Sequence, residues 1–233
     1  MINITIPVLN EEEILEKNIN EIYGFLKQNI FEPWFMVIVN NGSTDQTEKI
    51  AQKLAKTKPG IRYLYLDKRG KGLAIRTSWK KFPADICSFM DADLSTDLSD
   101  FPNLILPLHQ NFDLCIGSRR DPKSKVKKPF FRKLISFGYA LILKLFFNTS
   151  IKDAPCGFKA FNKNVLDSIL NQVKDNAWFF DSELILLAEN KNFKIKQIPV
   201  TWHETERQSH VNIFNTSKEY LRKLWELKKR LKK

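Results

Sequence analysis

The sequence predicts an α/β domain with a mainly parallel central sheet covered by helices. Between residue 1 and about residue 117, short apolar runs alternate with segments of helical period, a pattern typical of parallel sheets. Polar residues cluster directly after several of these runs. The chain has 233 residues, of which 43% are hydrophobic. That content suits one domain with a substantial core and excludes a disordered chain.

Five strands are predicted in this part of the chain, where runs rich in Ile, Val and aromatic residues are bounded by polar turn residues. They cover residues 2–8, 34–39, 61–66, 85–90 and 112–116. Apolar spacing predicts a helix over residues 14–26, and Thr44 or Asp45 is placed to cap a second helix. Ligands bind at the carboxyl ends of parallel strands. The predicted site therefore lies in the loops 10–13, 40–45, 68–72 and 91–97.

A different pattern follows Gly117. A basic loop at residues 119–128 precedes the apolar segment 129–148, in which Lys133 and Lys144 are separated by ten uncharged residues, too few to cross a bilayer. This segment is predicted to be a helix lying in a membrane interface, or a helical hairpin that covers the core. Further strands are predicted at residues 158–161 and 194–200, and further helices at 181–189 and from about Thr216.

The net charge of +12 is concentrated in two segments. Residues 119–133 contain eight basic side chains and one acidic one, and residues 218–233 contain eight basic and two acidic, so the remainder is almost neutral. Leucines and Trp225 give the second segment an apolar side, which is typical of a basic amphipathic helix on an anionic membrane surface. The non-enzymatic alternative is a basic membrane- or nucleic-acid-binding protein. Because the sequence has no helix-turn-helix or base-stacking pattern, we expect no nucleic-acid partner.

The three cysteines, an odd number without Cys-x-x-Cys spacing, argue against a disulfide framework or a structural zinc site. They favour a reducing compartment. The amino terminus shows no secretory signal pattern. We therefore expect a cytoplasmic protein that associates peripherally with the cytoplasmic face of a membrane.

The motif Asp91-Ala92-Asp93 follows the predicted strand 85–90. Two carboxylates separated by one residue are suited to a divalent cation that also holds a diphosphate, because Mg²⁺ and Mn²⁺ prefer oxygen ligands. The structural alternative is a solvated turn, since this motif is common by chance. Its position after a buried strand favours the metal site.

Three further loops carry weaker signals. Asn10 and Glu11 could read a base or ribose by hydrogen bonds, or Asn10 could cap the following helix. Residues 40–45 have the Gly and short polar residues of a tight strand-to-helix turn. Gly70-Lys71-Gly72 opens the next predicted helix and is expected to bring a lysine and backbone amides to phosphate, although it lacks the Walker pattern.

Together, five motifs resemble those of the family 2 glycosyltransferases with a GT-A fold in their order and approximate spacing. They are Pro7-Val8-Leu9-Asn10-Glu11, Asn41-Gly42-Ser43-Thr44-Asp45, Gly70-Lys71-Gly72, Asp91-Ala92-Asp93 and Gly117-Ser118-Arg119. The resemblance is strongest to the polyprenyl-phosphate (dolichyl-phosphate) mannose and glucose synthases. It extends to about residue 215, since residues 129–136 resemble the acceptor-side helix of mannose synthases, while residues 156–159 and 178–183 resemble glucose synthases.

The resemblance implies a role for each matching residue. The nucleotide-sugar-binding residues would be Pro7, Leu9, Glu11, Val39, Asn41, Lys71, Asp91, Ala92, Asp93 and Ser95. The catalytic residues would be Asp93, Arg119 and Asp153. Asp91 and Asp93 would bind Mg²⁺ or Mn²⁺, Arg119 and Arg132 would bind the acceptor phosphate, and Ser209 and His210 would belong to a flexible lid.

Three positions depart from the family pattern. Ser95 stands where some mannose synthases place a Gln metal ligand, Asn40-Asn41 replaces a common Asp-Asp pair, and His210 stands where Lys is usual. The Asn pair lacks the carboxylate that contacts the base, which leaves the nucleotide open. A neutral imidazole at residue 210 would hold a diphosphate less well than a lysine unless phosphate keeps it protonated.

The reaction implied is attack by a polyprenyl-phosphate oxygen on the anomeric carbon of a GDP- or UDP-hexose, with inversion. The implied architecture is one GT-A domain over residues 1–215, with a nucleotide-sugar half at 1–117 and an acceptor half at 118–215, followed by a basic amphipathic helix at 216–233. A membrane-anchoring partner is a further expectation. The alternative activity is a family 2 glycosyltransferase that uses a soluble or cell-surface glycan as acceptor.

Overall fold

The structure, a computed structural model, describes residues 1–127, 130–204 and 213–231, with side chains at all of these positions except 130–135 and 213–218. In this part of the chain the strands are β1 (Ile2–Val8), β2 (Trp34–Asn41), β3 (Ile61–Leu66), β4 (Ile86–Met90), β5 (Leu114–Ser118), β6 (Lys125–Lys127), β7 (Phe158–Asn162), β8 (Ile195–Pro199) and β9 (Thr201–His203). The helices are α1 (Leu15–Asn29), α2 (Thr47–Thr57), α3 (Lys71–Lys81), α4 (Phe101–His109), α5 (Phe130–Phe147), α6 (Lys163–Ile169), α7 (Phe180–Asn190) and α8 (Ile213–Leu231).

The central sheet has seven strands in the order β3-β2-β1-β4-β7-β5-β8. Neighbouring strands are parallel except where β7 pairs with β4 and β5, to both of which it is antiparallel. This confirms the predicted α/β class with a mainly parallel sheet. The sheet contains strands from before and after residue 117, so the two parts of the chain share one framework.

Helices cover both faces of the sheet. Successive side chains of β2 point to opposite faces of the sheet, so Val37 lies in one apolar cluster and Ile38 in the other. The cluster containing Val37 receives residues from α3, α5, α6, α7 and α8, and the opposite cluster receives residues from α1, α2 and α4. The result is a three-layer sandwich whose sheet is buried on both faces, as the continuous apolar run of β2 predicts.

Several boundaries differ from the predicted ones. The segment 129–148 contains one continuous helix, α5, so the helical hairpin is wrong, and α8 begins at Ile213, three residues early. Strand β5 lies two residues later than predicted because Phe112 still belongs to the turn after α4, where its N–H donates to the carbonyl of Pro107. Helix α4, which contains Pro102 and Pro107, was not predicted. No helix within the described residues is long and apolar enough to cross a bilayer.

Substituting Phe161→Ala should destabilise the fold by about 3–5 kcal/mol, because this ring is fully buried and packs 5.5 Å from the ring of Trp79, measured between centroids. Phe31→Ala is the matched control, since its ring is almost fully exposed and its loss should change stability by less than about 0.5 kcal/mol. Denaturant unfolding of the three proteins measures both values. Equal stabilities would contradict the placement of β7 in the centre of the sheet.

Candidate active site

The loops at the carboxyl edge of the sheet are joined to one another by side chain to backbone hydrogen bonds. The side-chain oxygen of Asn10, after β1, accepts from the N–H of Thr44, after β2, at 2.9 Å. The N–H of Glu11 donates to Thr47 Oγ1 at 2.7 Å. Asn10 therefore joins two loops and does not cap a helix, since α1 starts at Leu15. The N-cap of α2 is Gln46, so neither Thr44 nor Asp45 occupies that position, although the Asp45 carboxylate, one residue earlier, accepts from the N–H of Thr47 at 2.9 Å.

The pair Asn40-Asn41, which stands in place of two acidic residues, is buried and hydrogen-bonded within the protein. Asn40 donates to the hydroxyl of Tyr63 at 3.2 Å and accepts from the N–H of Ser43 at 3.0 Å. Asn41 accepts from the N–H of Gly70 at 2.8 Å. These amide groups fix the turn after β2 and attach it to the start of α3.

The predicted nucleotide-binding residues of β1 and β2 differ in exposure. Pro7 lies opposite Val39 in the parallel pairing. Pro7 and Leu9 are partly exposed, as is Glu11. The side chain of Val39 is fully buried in the core, so its contribution to a nucleoside pocket is limited to its backbone.

Three backbone amides at the start of α3 are hydrogen-bonded within the protein. The N–H groups of Gly72 and Leu73 donate to the carbonyls of Ala177 and Asn176, and that of Gly70 donates to Asn41. A Cβ at Gly72 would lie 2.4 Å from the Cβ of Phe180, so this close approach requires glycine. These three amides are therefore engaged within the protein and are not available to a phosphate. The Lys71 side chain is what this motif contributes to the site.

Lys71 contacts two carboxylates, that of Asp91, which follows β4, and that of Asp181, at the start of α7. Its Nζ lies 2.7 Å from Asp91 Oδ1 and 3.4 Å from Asp181 Oδ2. Burial alone would lower the pKa of this lysine, but Asp181 and Asp91 raise it above its ordinary value. Lys71 therefore stays charged beside Asp91.

Asp91 and Asp93 form an oxygen donor set suited to a divalent cation. The loop is fixed by two hydrogen bonds, from Asn18 Nδ2 to the carbonyl of Ala92 at 2.8 Å and from the N–H of Ser95 to Asp93 Oδ1 at 3.0 Å. A Cβ at Gly157 would lie 2.0 Å from Asp91 Oδ2, so the absence of a side chain there creates the space that this carboxylate occupies. Burial raises the pKa of the Asp91 carboxyl, as do the charges of Asp93 and Asp181, against the lowering by Lys71.

Among the described residues no three His, Cys, Asp or Glu side chains converge as metal ligands. A cation held by Asp91 and Asp93 would complete its shell with phosphate oxygens and water, which is common for Mg²⁺ and accessible to Mn²⁺. Ser95 is buried and contributes its backbone N–H to the loop.

Arg119, which follows β5, is held by Asp153. Its Nε donates to Asp153 Oδ2 and its Nη2 to Asp153 Oδ1, both at 2.8 Å, and its backbone N–H donates to Oδ2 at 2.9 Å. Burial alone would raise the pKa of Asp153, but Arg119 outweighs it and holds that pKa below its usual range. The two residues form an ion pair in which Asp153 is buried and Arg119 is 19% exposed, and the Arg119 guanidinium lies 5.6 Å from the centroid of the Trp202 ring.

Two other predicted residue sets are outside this description. Arg132 belongs to α5, but its side chain lies outside the described residues, and so do Ser209 and His210. Lys159 was not predicted as a site residue, although its side chain is completely buried and pairs with Asp181 at 2.8 Å. A basic residue within an apolar strand was the available signal.

Substituting Gly157→Ala should displace the Asp91 carboxylate and weaken Mn²⁺-dependent binding of a nucleoside diphosphate by about tenfold or more, since a new methyl cannot lie 2.0 Å from Asp91 Oδ2. Gly24→Ala is the control, because nothing lies within 4 Å of a Cβ there and alanine favours a helix interior. Calorimetric titration of both variants measures the difference. Wild-type affinity in Gly157→Ala would contradict this account of Asp91.

Comparison with known proteins identifies the family. The profile of Glycosyl transferase family 2 matches residues 3–170. The chain is 30% identical over 225 residues to the dolichyl-phosphate beta-glucosyltransferase of Saccharomyces cerevisiae, with 88% of this chain and 67% of that protein covered. It is 28% identical over 235 residues to glycosyltransferase AglD of Haloferax volcanii, of which it spans 37%, with 97% of this chain covered.

A solved structure has the same fold. Glucosyl-3-phosphoglycerate synthase from Mycobacterium tuberculosis, in complex with Mn²⁺, UDP and phosphoglyceric acid, superposes with a TM-score of 0.74 at 18% identity. The match covers 98% of this chain and 78% of that one. The fold, the five motifs and the family profile agree. The chain belongs to Glycosyl transferase family 2.

Proposed function

We propose that this chain transfers a hexose from a nucleotide sugar to a polyprenyl phosphate of the dolichyl type, with inversion at the anomeric carbon. The observation that carries the proposal is the pair Asp91 and Asp93 beside Lys71, at the same sheet edge as Arg119. Burial alone would lower the pKa of Arg119, but Asp153 and, more weakly, Asp91 raise it. In this proposal a diphosphate-binding centre and a phosphate-binding cation lie at the same edge of the sheet. The yeast relative's name supports glucose and dolichyl phosphate as the substrates to test.

In this proposal the donor lies over the loops after β1, β2 and β4. The nucleoside site is lined by Pro7, Leu9, Glu11, Asn41 and the backbone of Val39. Asp91, Ala92, Asp93 and Ser95 form the loop that holds the diphosphate with Mg²⁺ or Mn²⁺. When bound, the cation supplies stabilisation of the charge that develops on the leaving diphosphate. Lys71 adds a fixed positive charge on the same side.

Arg119 binds the acceptor phosphate together with Arg132. Guanidinium groups match phosphate geometry and remain charged. A phosphate monoester is already largely ionised near neutral pH, its second pKa being about 6, so a strong general base is unnecessary. Asp153 is tied to Arg119 through both carboxylate oxygens. We therefore assign Asp153 a positioning role in place of direct participation in catalysis.

A donor and acceptor panel tests the activity. Purified protein is incubated with UDP-glucose, GDP-mannose and other nucleotide sugars, with and without polyprenyl phosphate, in Mg²⁺ or Mn²⁺. We expect glycolipid and nucleoside diphosphate to form together from UDP-glucose, and Asp91→Asn or Asp93→Asn to lower the rate by roughly a hundredfold or more. Asp85→Asn, an exposed carboxylate at the opposite end of β4, should retain the wild-type rate.

Two results would contradict this assignment. Absence of turnover with every donor and acceptor pair would defeat the proposed reaction. Transfer to lipid-free glycans at a rate that Arg119→Ala leaves unchanged would replace it with the glycan-acceptor alternative.

We also propose that α5 and α8 rest on an anionic membrane surface at the cytoplasmic face. The two helices contact each other through Tyr139 and Tyr220, whose ring centroids are 5.5 Å apart. Each exposes large apolar side chains at a spacing of four residues: Phe137, Leu141 and Leu145 on α5, and Leu221 and Trp225 on α8. Basic residues flank Trp225, and Lys229 Nζ lies 3.2 Å from its ring centroid. Apolar stripes beside basic residues are typical of interfacial helices.

Vesicle sedimentation tests this surface. Leu141→Ser/Leu145→Ser should weaken binding to vesicles containing anionic lipid by roughly tenfold or more, because two exposed leucines lose their apolar contact. Leu106→Ser, an exposed leucine of α4 on the other side of the sheet, should bind as the wild type does. Duplex DNA binding without vesicle binding at the same salt concentration would contradict the membrane proposal. Vesicle binding that requires another protein would replace it with a membrane-anchoring partner.

A further inference from the structure

Among the described residues, Lys159 is a cation whose side chain is completely buried. It lies on β7 directly opposite Phe89 of β4 in the antiparallel pairing. Its Nζ donates to the carbonyl of Cys156 and to Asp181 Oδ1, the latter at 2.8 Å. An ammonium withdrawn from water costs several kcal/mol unless its partners compensate for the lost hydration. This lysine is thus retained in the core through its bond to Asp181.

Asp181 continues the row outward. Its second oxygen, Oδ2, lies 3.4 Å from Lys71 Nζ, and Lys71 Nζ lies 2.7 Å from Asp91 Oδ1. Four side chains of alternating charge therefore lead from the core to the site. Their exposed fractions are 0% for Lys159, 3% for Asp181, 8% for Lys71 and 39% for Asp91. Both ammonium groups also face the ring of Phe89, at 5.2 and 5.4 Å from its centroid.

A contribution to stability does not by itself explain why Lys159 and Asp181 are buried as a charged pair. A well-packed apolar pair of similar volume is often as stable as a buried ion pair, or more stable, because it carries no desolvation penalty. The effect of the pair is instead on the position of the Lys71 ammonium. One oxygen of Asp181 contacts Lys159 and the other contacts Lys71. Because Lys159 offsets part of the negative charge of Asp181, it weakens the attraction of Lys71 toward the core. The remaining attraction to Asp181 limits how closely Lys71 binds to Asp91.

We propose that Lys159 and Asp181 are positioning residues that set the location of the Lys71 ammonium at the diphosphate site, and so the affinity for the donor. The inference rests on the proposed function, in which Lys71 meets the donor diphosphate. Without Lys159, Asp181 would hold Lys71 away from Asp91. Without Asp181, Lys71 would pair with Asp91 alone and would compete with the cation for that carboxylate.

The test compares Lys159→Met and Asp181→Asn with the wild type. We expect each to raise the KM for the nucleotide sugar by about tenfold to a hundredfold, as is usual when a charged hydrogen bond is lost, and to leave the KM for polyprenyl phosphate unchanged. Lys159→Arg, which keeps the charge, should restore most of the donor affinity. Lys163→Met removes an exposed lysine paired with Asp167 and should change neither constant.

Direct binding of UDP and GDP in MnCl₂ separates this inference from the proposed function. If the wild type shows no transfer but binds a nucleoside diphosphate, and Lys159→Met binds it at least tenfold more weakly, the positioning role stands and the proposed reaction fails. If the wild type transfers a hexose and Lys159→Met keeps its donor KM and its diphosphate affinity, the inference is overturned and the reaction stands.

A double variant covers the case in which a single variant does not fold. Lys159→Met/Asp181→Leu removes both buried charges at once and should retain a cooperative thermal transition. We expect this folded protein to bind the nucleoside diphosphate at least tenfold more weakly than the wild type. Wild-type affinity in the folded double variant would overturn the inference, as would equal loss of affinity for donor and acceptor.

Discussion

The position of β7 determines the geometry of the site. This strand lies between β4 and β5 and is antiparallel to both of them. Its first residues are therefore at the edge of the sheet where β4 and β5 end. Gly157 therefore meets Asp91, and Lys159 lies beside Phe89. Because strands are about 4.8 Å apart, inserting β7 separates the ends of β4 and β5 by roughly 10 Å. In the proposed reaction that interval divides the diphosphate loop from the acceptor arginine and leaves room for a sugar between them.

Pairing of opposite charges explains why the site can bury several of them. Burial of single charges is costly, but here each cation has a carboxylate partner: Arg119 with Asp153, and Lys71 and Lys159 with Asp181. Asp91 is half-exposed at the end of the row, and its pKa is raised by burial. A cation at this position would favour the ionised carboxylate. The arrangement is thus consistent with a site that gains electrostatic stability when its ligands bind.

Much of the framework follows from local pattern, whereas contacts between distant segments do not. β1 and β3 have the predicted bounds because their apolar runs end at polar turns. The blocked amides of α3 could not be foreseen, since the carbonyls of Asn176 and Ala177 come from a segment about a hundred residues away. Lys159 was not predicted as a site residue for a similar reason. A lysine in a strand is normally expected at the surface, and Asp181, its partner, lies on the separate helix α7.

The two basic segments, residues 119–133 and 218–233, offer less charge to a membrane than their composition predicts. In the terminal segment, Lys223 pairs with Asp175 at 2.5 Å and Arg230 pairs with Glu183, both of which are buried carboxylates. In the other basic segment, Arg119 is engaged by Asp153 and Arg120 donates to the carbonyl of Ser136. A lysine or arginine near an anionic surface contributes about 1 kcal/mol to binding. Residues held inside the fold contribute less, so apolar contact must supply a larger share of the proposed attachment than a charge count implies.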